Sequence, residues 1–253
     1  MKVECVGKKT ARRILCEMVS TPIPSQAEER VARASLRSLS LDGPVGRLEA
    51  ILNEGDPDAP FAAAVCHPHP AGGGTLHNKV VYHAMKAFNS PAFGLQWPVL
   101  RFNFRGTGLS EGRHDGLAES GDVLAALDWL EREYKRPIIV AGFSFGAAMA
   151  LHACCASRSK LTAQVRAIAA LGLPTRTAER TYQYHFLSDC SLPKLFLSGD
   201  RDQFASVADL QHVAATTAEP KKLALVPGAD HFFSSQLEAM QNELASWLKE
   251  IPK

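Results

Sequence analysis

The 253-residue sequence contains no long hydrophobic run and no strong excess of one charge. No apolar stretch reaches the roughly 18 residues that a membrane-spanning helix needs. The net charge is +2, and basic residues are scattered, with the densest group at residues 8–13. Nothing in this pattern forms a basic surface for phosphate groups, so we expect neither nucleic acid nor a membrane as a partner.

Cysteine occurs six times, but never with the Cys-x-x-Cys spacing of metal sites. Cys66 lies in an apolar run, and Cys154 and Cys155 lie in a predicted helix, where buried thiols behave as small hydrophobic groups. We therefore predict free thiols and a reducing compartment. The N-terminus has a basic start but no uninterrupted apolar region after it, since Glu4 and Glu17 interrupt it. We therefore expect no secretory signal, and the predicted location is cytoplasmic.

The rest of the composition, 46% hydrophobic and 21% charged, is typical of a globular protein. The chain is long enough for one large α/β domain and short for two, and it contains no internal repeat. We predict a single domain over residues 31–253. Residues 1–30 form a predicted N-terminal extension, for which an extra strand, a partner-binding arm and partial order are alternatives.

The hydrophobic pattern predicts strands that alternate with helices. Period-two alternation at 34–41 and 47–52, with a turn between them, predicts an antiparallel hairpin at a sheet edge. Apolar runs predict further strands, covered on both faces, at 61–66, 97–104, 137–141, 165–171, 194–198 and 222–226. Helical spacing follows at 77–88, 121–134, 208–216 and 236–249, and after residue 146. The predicted fold is a doubly wound, mostly parallel α/β sheet flanked by helices.

One glycine-flanked serine lies between a predicted strand and a predicted helix, in the stretch Gly142-Phe143-Ser144-Phe145-Gly146. In this context Gly-x-Ser-x-Gly is the sequence form of a nucleophile elbow. The sharp turn brings backbone close to the positions two residues before and after the serine, so small residues are needed there. The start of the following helix would direct N–H groups at an anion that forms on the serine's substrate.

A serine nucleophile needs a base to take its proton and a carboxylate to hold that base in the right tautomer. In a doubly wound sheet these groups come from loops at the carboxyl ends of parallel strands. Asp200 and Asp202 follow the predicted strand at 194–198, and Asp230 and His231 follow the strand at 222–226. The chain order is therefore serine, acid, histidine.

With this order, the chain resembles the α/β-hydrolase superfamily over nearly all of residues 34–250. Two stretches carry a more specific resemblance: Cys66-His67-Pro68-His69-Pro70 with the glycines and Asn78-Lys79-Val80-Val81 that follow, and the segment 102–112, which reads FNFRGTGLSEG. They are similar to a bacterial subfamily of small serine hydrolases, near the dienelactone-hydrolase-like and acyl-peptidase-like members. The resemblance implies fold and chemistry, with no cofactor, and leaves the substrate open.

Carried onto this sequence, the resemblance implies that Ser144 is the nucleophile, His231 the general base and Asp202 the triad acid. Asp200 is the alternative acid, although its position suits a turn-forming residue better. Asp230 ranks third, because beside the histidine it would point away from the imidazole Nδ1.

The loop around His67 and His69 has two interpretations. The resemblance implies an oxyanion hole formed by the backbone N–H groups of Phe145 and His69, with Ala71 as the alternative to His69, since proline has no N–H to donate. The His-x-His spacing also occurs in zinc sites, but no third ligand lies at a useful spacing, so we predict no metal.

The segment from Pro174 to Pro193 is where many relatives insert a lid, and here it is too short for a large helical cap. Its residues Tyr182, Tyr184 and Phe186 either line a substrate pocket or cover the sheet. A small, open site favours short acyl chains. The predicted function is a carboxylesterase for small-molecule short-chain esters. A peptidase or amidase of the same fold and a non-catalytic binding protein are the alternatives, and the oligomeric state is open, with a homodimer among the options.

Overall fold

The computed structural model describes residues 35–156, 162–178 and 180–252. Within them, eight strands form one sheet in the order β1-β2-β4-β3-β5-β6-β7-β8. Their bounds are β1 (Leu36–Gly43), β2 (Gly46–Asn53), β3 (Ala62–Cys66), β4 (Val99–Phe102), β5 (Ile138–Phe143), β6 (Val165–Leu171), β7 (Lys194–Gly199) and β8 (Lys221–Val226). β1 pairs antiparallel with β2, and β2 with β4, whereas β4, β3, β5, β6, β7 and β8 run parallel. The predicted mostly parallel sheet with an antiparallel edge hairpin is confirmed.

Helices cover both faces of this sheet. They are α1 (Lys79–Asn89), α2 (Ser120–Tyr134), α3 (Phe145–Leu151), α4 (Val207–Thr216) and α5 (Leu237–Glu250). Apolar residues of α1 and α5 form one buried cluster with the sheet, and those of α2, α3 and α4 form a second cluster on the opposite face. Alternate residues of a strand point to opposite faces, so the two central strands, β3 and β5, carry no polar side chain.

β3 illustrates why a continuous apolar run forms a strand here. Ala62, Ala64 and Cys66 pack into one cluster, and Ala63 and Val65 pack into the other. All five side chains are buried. Because β3 lies at the centre of the sheet, the loop that follows it leaves from the middle of the carboxyl edge, where the candidate site residues gather.

One cysteine prediction is wrong. Cys155 and Cys190 form a disulfide with Cα atoms 5.3 Å apart, although 35 positions separate them in the sequence. Cys155 lies just after α3, and Cys190 lies in the β6–β7 connection. Only folding brings these segments together, so the spacing of cysteines in the sequence did not indicate the disulfide. The predicted reducing compartment loses its support from free thiols, whereas Cys66 and Cys154 are buried and free, as predicted.

Two further predictions concern the N-terminal extension and membrane-spanning helices. The proposed N-terminal extension at residues 1–30 lies outside the described residues and stays a prediction. Among the residues that the structure describes, no helix combines the length and apolar character required to cross a membrane.

Candidate active site

Ser144 lies in a tight turn between β5 and α3. Its backbone has φ 55° and ψ −119°, a conformation that a non-glycine residue adopts only when the surrounding structure enforces it. A Cβ atom on Gly142 would lie 2.3 Å from the Gly146 carbonyl oxygen, and one on Gly146 would lie 2.4 Å from the His67 carbonyl oxygen. The two glycines therefore allow the close approach of backbone that the turn requires.

His231 connects Ser144 to Asp202 through hydrogen bonds. Its Nε2 lies 2.9 Å from Ser144 Oγ, and its Nδ1 lies 2.8 Å from Asp202 Oδ2. The His231 and Asp202 side chains are 2% and 0% exposed. An ionised carboxylate only accepts hydrogen bonds, so the neutral imidazole carries its proton on Nδ1 and leaves Nε2 free to accept from the serine hydroxyl. This geometry suits proton transfer from Ser144 to His231.

Asp202 is held in place by two further donors. Ser198 Oγ donates to Asp202 Oδ2 at 2.9 Å, and the Phe204 N–H donates to Oδ1 at 2.8 Å. These bonds fix the plane of the carboxylate beside the imidazole and stabilise its charge in a buried position. Ser198, near the end of β7, is a contact that sequence reasoning missed.

The two other candidate acids bind backbone. Asp200 Oδ1 accepts from the Gly228 N–H at 2.7 Å, which ties the loops after β7 and β8 together. Asp230 Oδ1 accepts from the N–H groups of Ser234 and Phe232, and these bonds hold the pKa of Asp230 below its usual value. Both therefore stabilise turns near the site, while Asp202 contacts the imidazole.

Ser144 and His231 open onto a pocket of about 360 Å³. Its wall includes the aromatic residues His69, Phe145, Tyr182, Phe204 and Phe232. In the described part of the chain, the β6–β7 connection forms only an isolated bridge and a short 3-10 helix above the sheet, and no large cap.

Of the three aromatic residues predicted to line this pocket, Tyr182 does so. The pocket alternative is wrong for Tyr184 and Phe186, which take the other predicted position and cover the sheet. The Tyr184 hydroxyl donates to the Pro174 carbonyl, and its ring borders a separate pocket of about 170 Å³, while the Phe186 ring packs against His152 with 4.4 Å between centroids. Tyr184 therefore packs towards α4, and Phe186 packs towards the end of α3.

His67 anchors the loop that leaves β3. Its ring is fully buried, Nδ1 donates to the Pro68 carbonyl at 2.6 Å, and Nε2 accepts from the Phe104 N–H at 3.0 Å. Burial lowers the pKa of His67 to about 4, so the imidazole is neutral at physiological pH. In the part of the chain that the structure describes, no group of three His, Cys, Asp or Glu side chains is arranged to hold a metal ion.

The two predicted oxyanion donors lie at the same pocket as Ser144. Phe145 is the first residue of α3, so its N–H has no acceptor within the helix. His69 lines the pocket, and its ring contacts the Phe145 ring edge-on with 5.0 Å between centroids. Ala71, the alternative donor, lines the pocket as well.

Sequence reasoning missed two polar residues behind His69. His114 lies in the loop before α2, and Glu119 is the residue directly before the helix. His114 Nε2 is 3.3 Å from His69 Nε2. No spacing in the sequence connects residues 69, 114 and 119, and the nearest signal was the glycine-rich stretch just before them.

Most of this chain is similar to known proteins. Residues 62–251 match the model of the family described as alpha/beta hydrolase domain. An uncharacterized protein of Rickettsia prowazekii (strain Madrid E) is 33% identical over 219 residues, which cover 83% of this chain and 87% of that protein.

Two solved structures share its fold at somewhat lower identity. The first, from Xanthomonas campestris, is described as a member of the α/β serine hydrolases without a lid; it is 28% identical, with a TM-score of 0.72, and the match covers 87% of this chain and 97% of that one. The second, an α/β serine hydrolase homologue from Coxiella burnetii, is 30% identical, with a TM-score of 0.72 and coverage of 84% and 97%.

Proposed function

This chain belongs to the α/β-hydrolase family, and we propose that it is a serine carboxylesterase that cleaves short-chain acyl esters through an acyl-enzyme. The observation that carries the proposal is the unbroken line of hydrogen bonds from Asp202 through His231 to Ser144, which ends at an open pocket.

In the acylation step, Ser144 Oγ attacks the ester carbonyl carbon while His231 Nε2 takes the hydroxyl proton. The carbonyl π electrons move to its oxygen, and the N–H groups of Phe145 and His69 bind the resulting oxyanion. The tetrahedral intermediate collapses, the bond to the alkoxide oxygen breaks, and His231 returns the proton to the leaving alcohol. Asp202 stabilises the imidazolium that exists between these two transfers.

In the deacylation step, water takes the place of the alcohol. His231 Nε2 accepts a proton from the water molecule as its oxygen attacks the acyl carbon, and the same two N–H groups bind the second oxyanion. Collapse then breaks the bond to Ser144 Oγ, which regains its proton from His231. The net reaction is ester plus water to carboxylic acid plus alcohol, and it requires no cofactor.

The size and openness of the site support a preference for short acyl chains. A pocket of about 360 Å³ with Phe204 and Phe232 in its wall accommodates a small acyl group beside Ser144. Long chains gain little there, because the described part of the β6–β7 connection provides no apolar cap to cover them.

A panel of para-nitrophenyl esters from acetate to palmitate tests the proposal. We expect kcat/KM to be highest for acetate to butyrate, and Ser144→Ala and His231→Ala to abolish turnover. His212→Ala, whose ring borders the separate pocket, is the matched control and should keep wild-type activity. Faster hydrolysis of long-chain esters would contradict the acyl-length assignment.

A fluorophosphonate separates the remaining alternatives. It should label wild-type Ser144 and leave Ser144→Ala unlabelled. Labelling without ester hydrolysis, together with cleavage of anilide substrates, would favour the peptidase or amidase alternative. If neither labelling nor hydrolysis occurs, the catalytic proposal fails and a binding protein becomes the better interpretation.

A further inference from the structure

A second carboxylate–imidazole pair, with a buried carboxylate and an imidazole that is 20% exposed, lies beside the pocket wall. Glu119 Oε1 is 2.7 Å from His114 Nδ1, and the Glu119 side chain is 0% exposed. His114 Nε2 in turn lies 3.3 Å from Nε2 of His69, whose ring lines the pocket. The proposed acyl transfer assigns no role to Glu119 or His114.

The environment of Glu119 fixes how this chain of contacts is protonated. Its Oε1 also accepts from the backbone N–H groups of Asp115 and Gly116, at 2.9 and 3.3 Å, whereas Oε2 is buried and has no hydrogen-bond partner among the described residues. The ionised carboxylate can only accept, so the Nδ1 of His114 carries a proton. In the neutral imidazole, Nε2 is then the acceptor that faces His69. Glu119 thus sets both the tautomer and the orientation of the His114 ring.

The same cluster touches both residues whose N–H groups are proposed to bind the oxyanion. The His69 ring packs edge-on against His114 and against Phe145, with centroid distances of 4.6 and 5.0 Å. The His114 and Phe145 rings are also edge-on, at 5.4 Å. A displacement of His114 would therefore be transmitted to the residues on both sides of the oxyanion hole.

The backbone around His69 is restricted by its neighbours and by hydrogen bonds. Proline on either side limits the available dihedral angles. The His69 carbonyl accepts from the N–H groups of Gly72 and Gly74, at 3.1 and 3.0 Å. The backbone restraints and the ring contacts together hold His69 at the pocket, so loss of the ring contacts would shift the residue and its N–H.

We propose that Glu119 and His114 are positioning residues that hold His69 and thereby aim its N–H into the oxyanion hole. The inference rests on the proposed serine hydrolase function. Loss of one oxyanion donor lowers kcat by about 100- to 1,000-fold, and a misplacement of about 1 Å costs up to about 100-fold. Because the donor is displaced and not deleted, loss of His114 should reduce kcat by about 10- to 100-fold.

Two rates report on the oxyanion hole. One is kcat for para-nitrophenyl acetate. The other is the rate at which a fluorophosphonate labels Ser144, because the phosphoryl oxygen of the reagent occupies the same oxyanion hole while its fluoride is displaced. We expect His114→Ala and Glu119→Gln to reduce both rates, with KM within about twofold of wild type. His83→Ala removes an imidazole that bonds Gln241 Oε1 at 2.9 Å outside the pocket, and it should leave both rates unchanged.

A double-mutant cycle distinguishes positioning through His69 from a general loss of stability. If His114 acts through His69, the variant carrying both His69→Ala and His114→Ala should be no slower than His69→Ala alone. Three outcomes would overturn the inference. The losses in rate of the two single variants could add in the double variant, His114→Ala and Glu119→Gln could react at the wild-type rate, or the rates could simply follow a lowered melting temperature. A wild-type enzyme that does not react at Ser144 would instead overturn the serine hydrolase proposal, and this inference with it.

Discussion

The buried imidazole of His67 makes the stability of this protein depend on pH. In the folded chain its pKa is about 4, chiefly because burial disfavours the charged ring, against 6.5 for an ordinary histidine. Between these two values the ring is neutral in the folded chain and protonated in the unfolded chain. Unfolding then takes up a proton, so the free energy of unfolding falls as the pH is lowered through this range.

The size of the effect follows from the pKa difference. Each pKa unit corresponds to 1.36 kcal/mol, so the shift of His67 is worth about 3 kcal/mol in total. Of this, about 2 kcal/mol is lost between about pH 7 and about pH 5. The cost has a structural counterpart, because a protonated Nε2 could no longer accept from the Phe104 N–H.

Urea unfolding at about pH 7 and about pH 5, followed by tryptophan fluorescence, measures this loss of stability. Other groups titrate as well, so the comparison is between wild type and His67→Gln, which lacks the titrating ring. The loss of stability from about pH 7 to about pH 5 should be smaller by about 2 kcal/mol in the variant. Equal losses would refute the reasoning. An NMR titration of the histidine Cε1–H signals gives the pKa of His67 directly if the variant is too unstable, and a value near 6.5 would refute it too.

Two further substitutions test the site and the fold. Asp202→Asn should keep the geometry but reverse the histidine tautomer, reducing kcat by about 10⁴-fold in the ester assay, whereas Asp200→Asn should stay near wild type. Arg105→Ala breaks the pair with Asp122, in which Arg105 Nη2 lies 2.6 Å from Asp122 Oδ1 and the side chains are 6% and 0% exposed. It should lower the free energy of unfolding by about 3–5 kcal/mol in urea, because a buried charge is left unpaired. Arg47→Ala, which breaks an exposed pair, should change stability far less.

Hydrophobic pattern predicted the strands because the sheet is covered on both faces. Each apolar run became a strand, with small differences at the ends, as in β4, which covers Val99–Phe102 against a predicted 97–104. Pro98 has no N–H for the sheet, and the N–H of Phe104 bonds to His67 and not to a neighbouring strand. Strand order in turn fixed where the loops meet, which is why the serine, acid and histidine candidates could be named from the sequence.

Loop-to-loop contacts could not be predicted in this way, because they have no periodicity. The Cys155–Cys190 disulfide, the position of Tyr184 beside α4 and the contact of His114 with His69 all join segments that are distant in sequence. Their pairing depends on loop conformations that residue spacing does not specify. The strand-end residues are different, since parallel strands deliver them to one edge regardless of loop detail.

The site places a buried carboxylate against the Nδ1 of an imidazole twice. Asp202 holds Nδ1 of His231, and Glu119 holds Nδ1 of His114, at 2.8 and 2.7 Å. The first imidazole faces Ser144, where in the proposed mechanism a proton moves twice in each half-reaction. The second faces His69, where nothing is transferred and the hydrogen-bond donor has to stay still while charge develops on the substrate. A carboxylate that fixes tautomer and ring plane suits both tasks, because each requires an imidazole that is oriented before the substrate arrives.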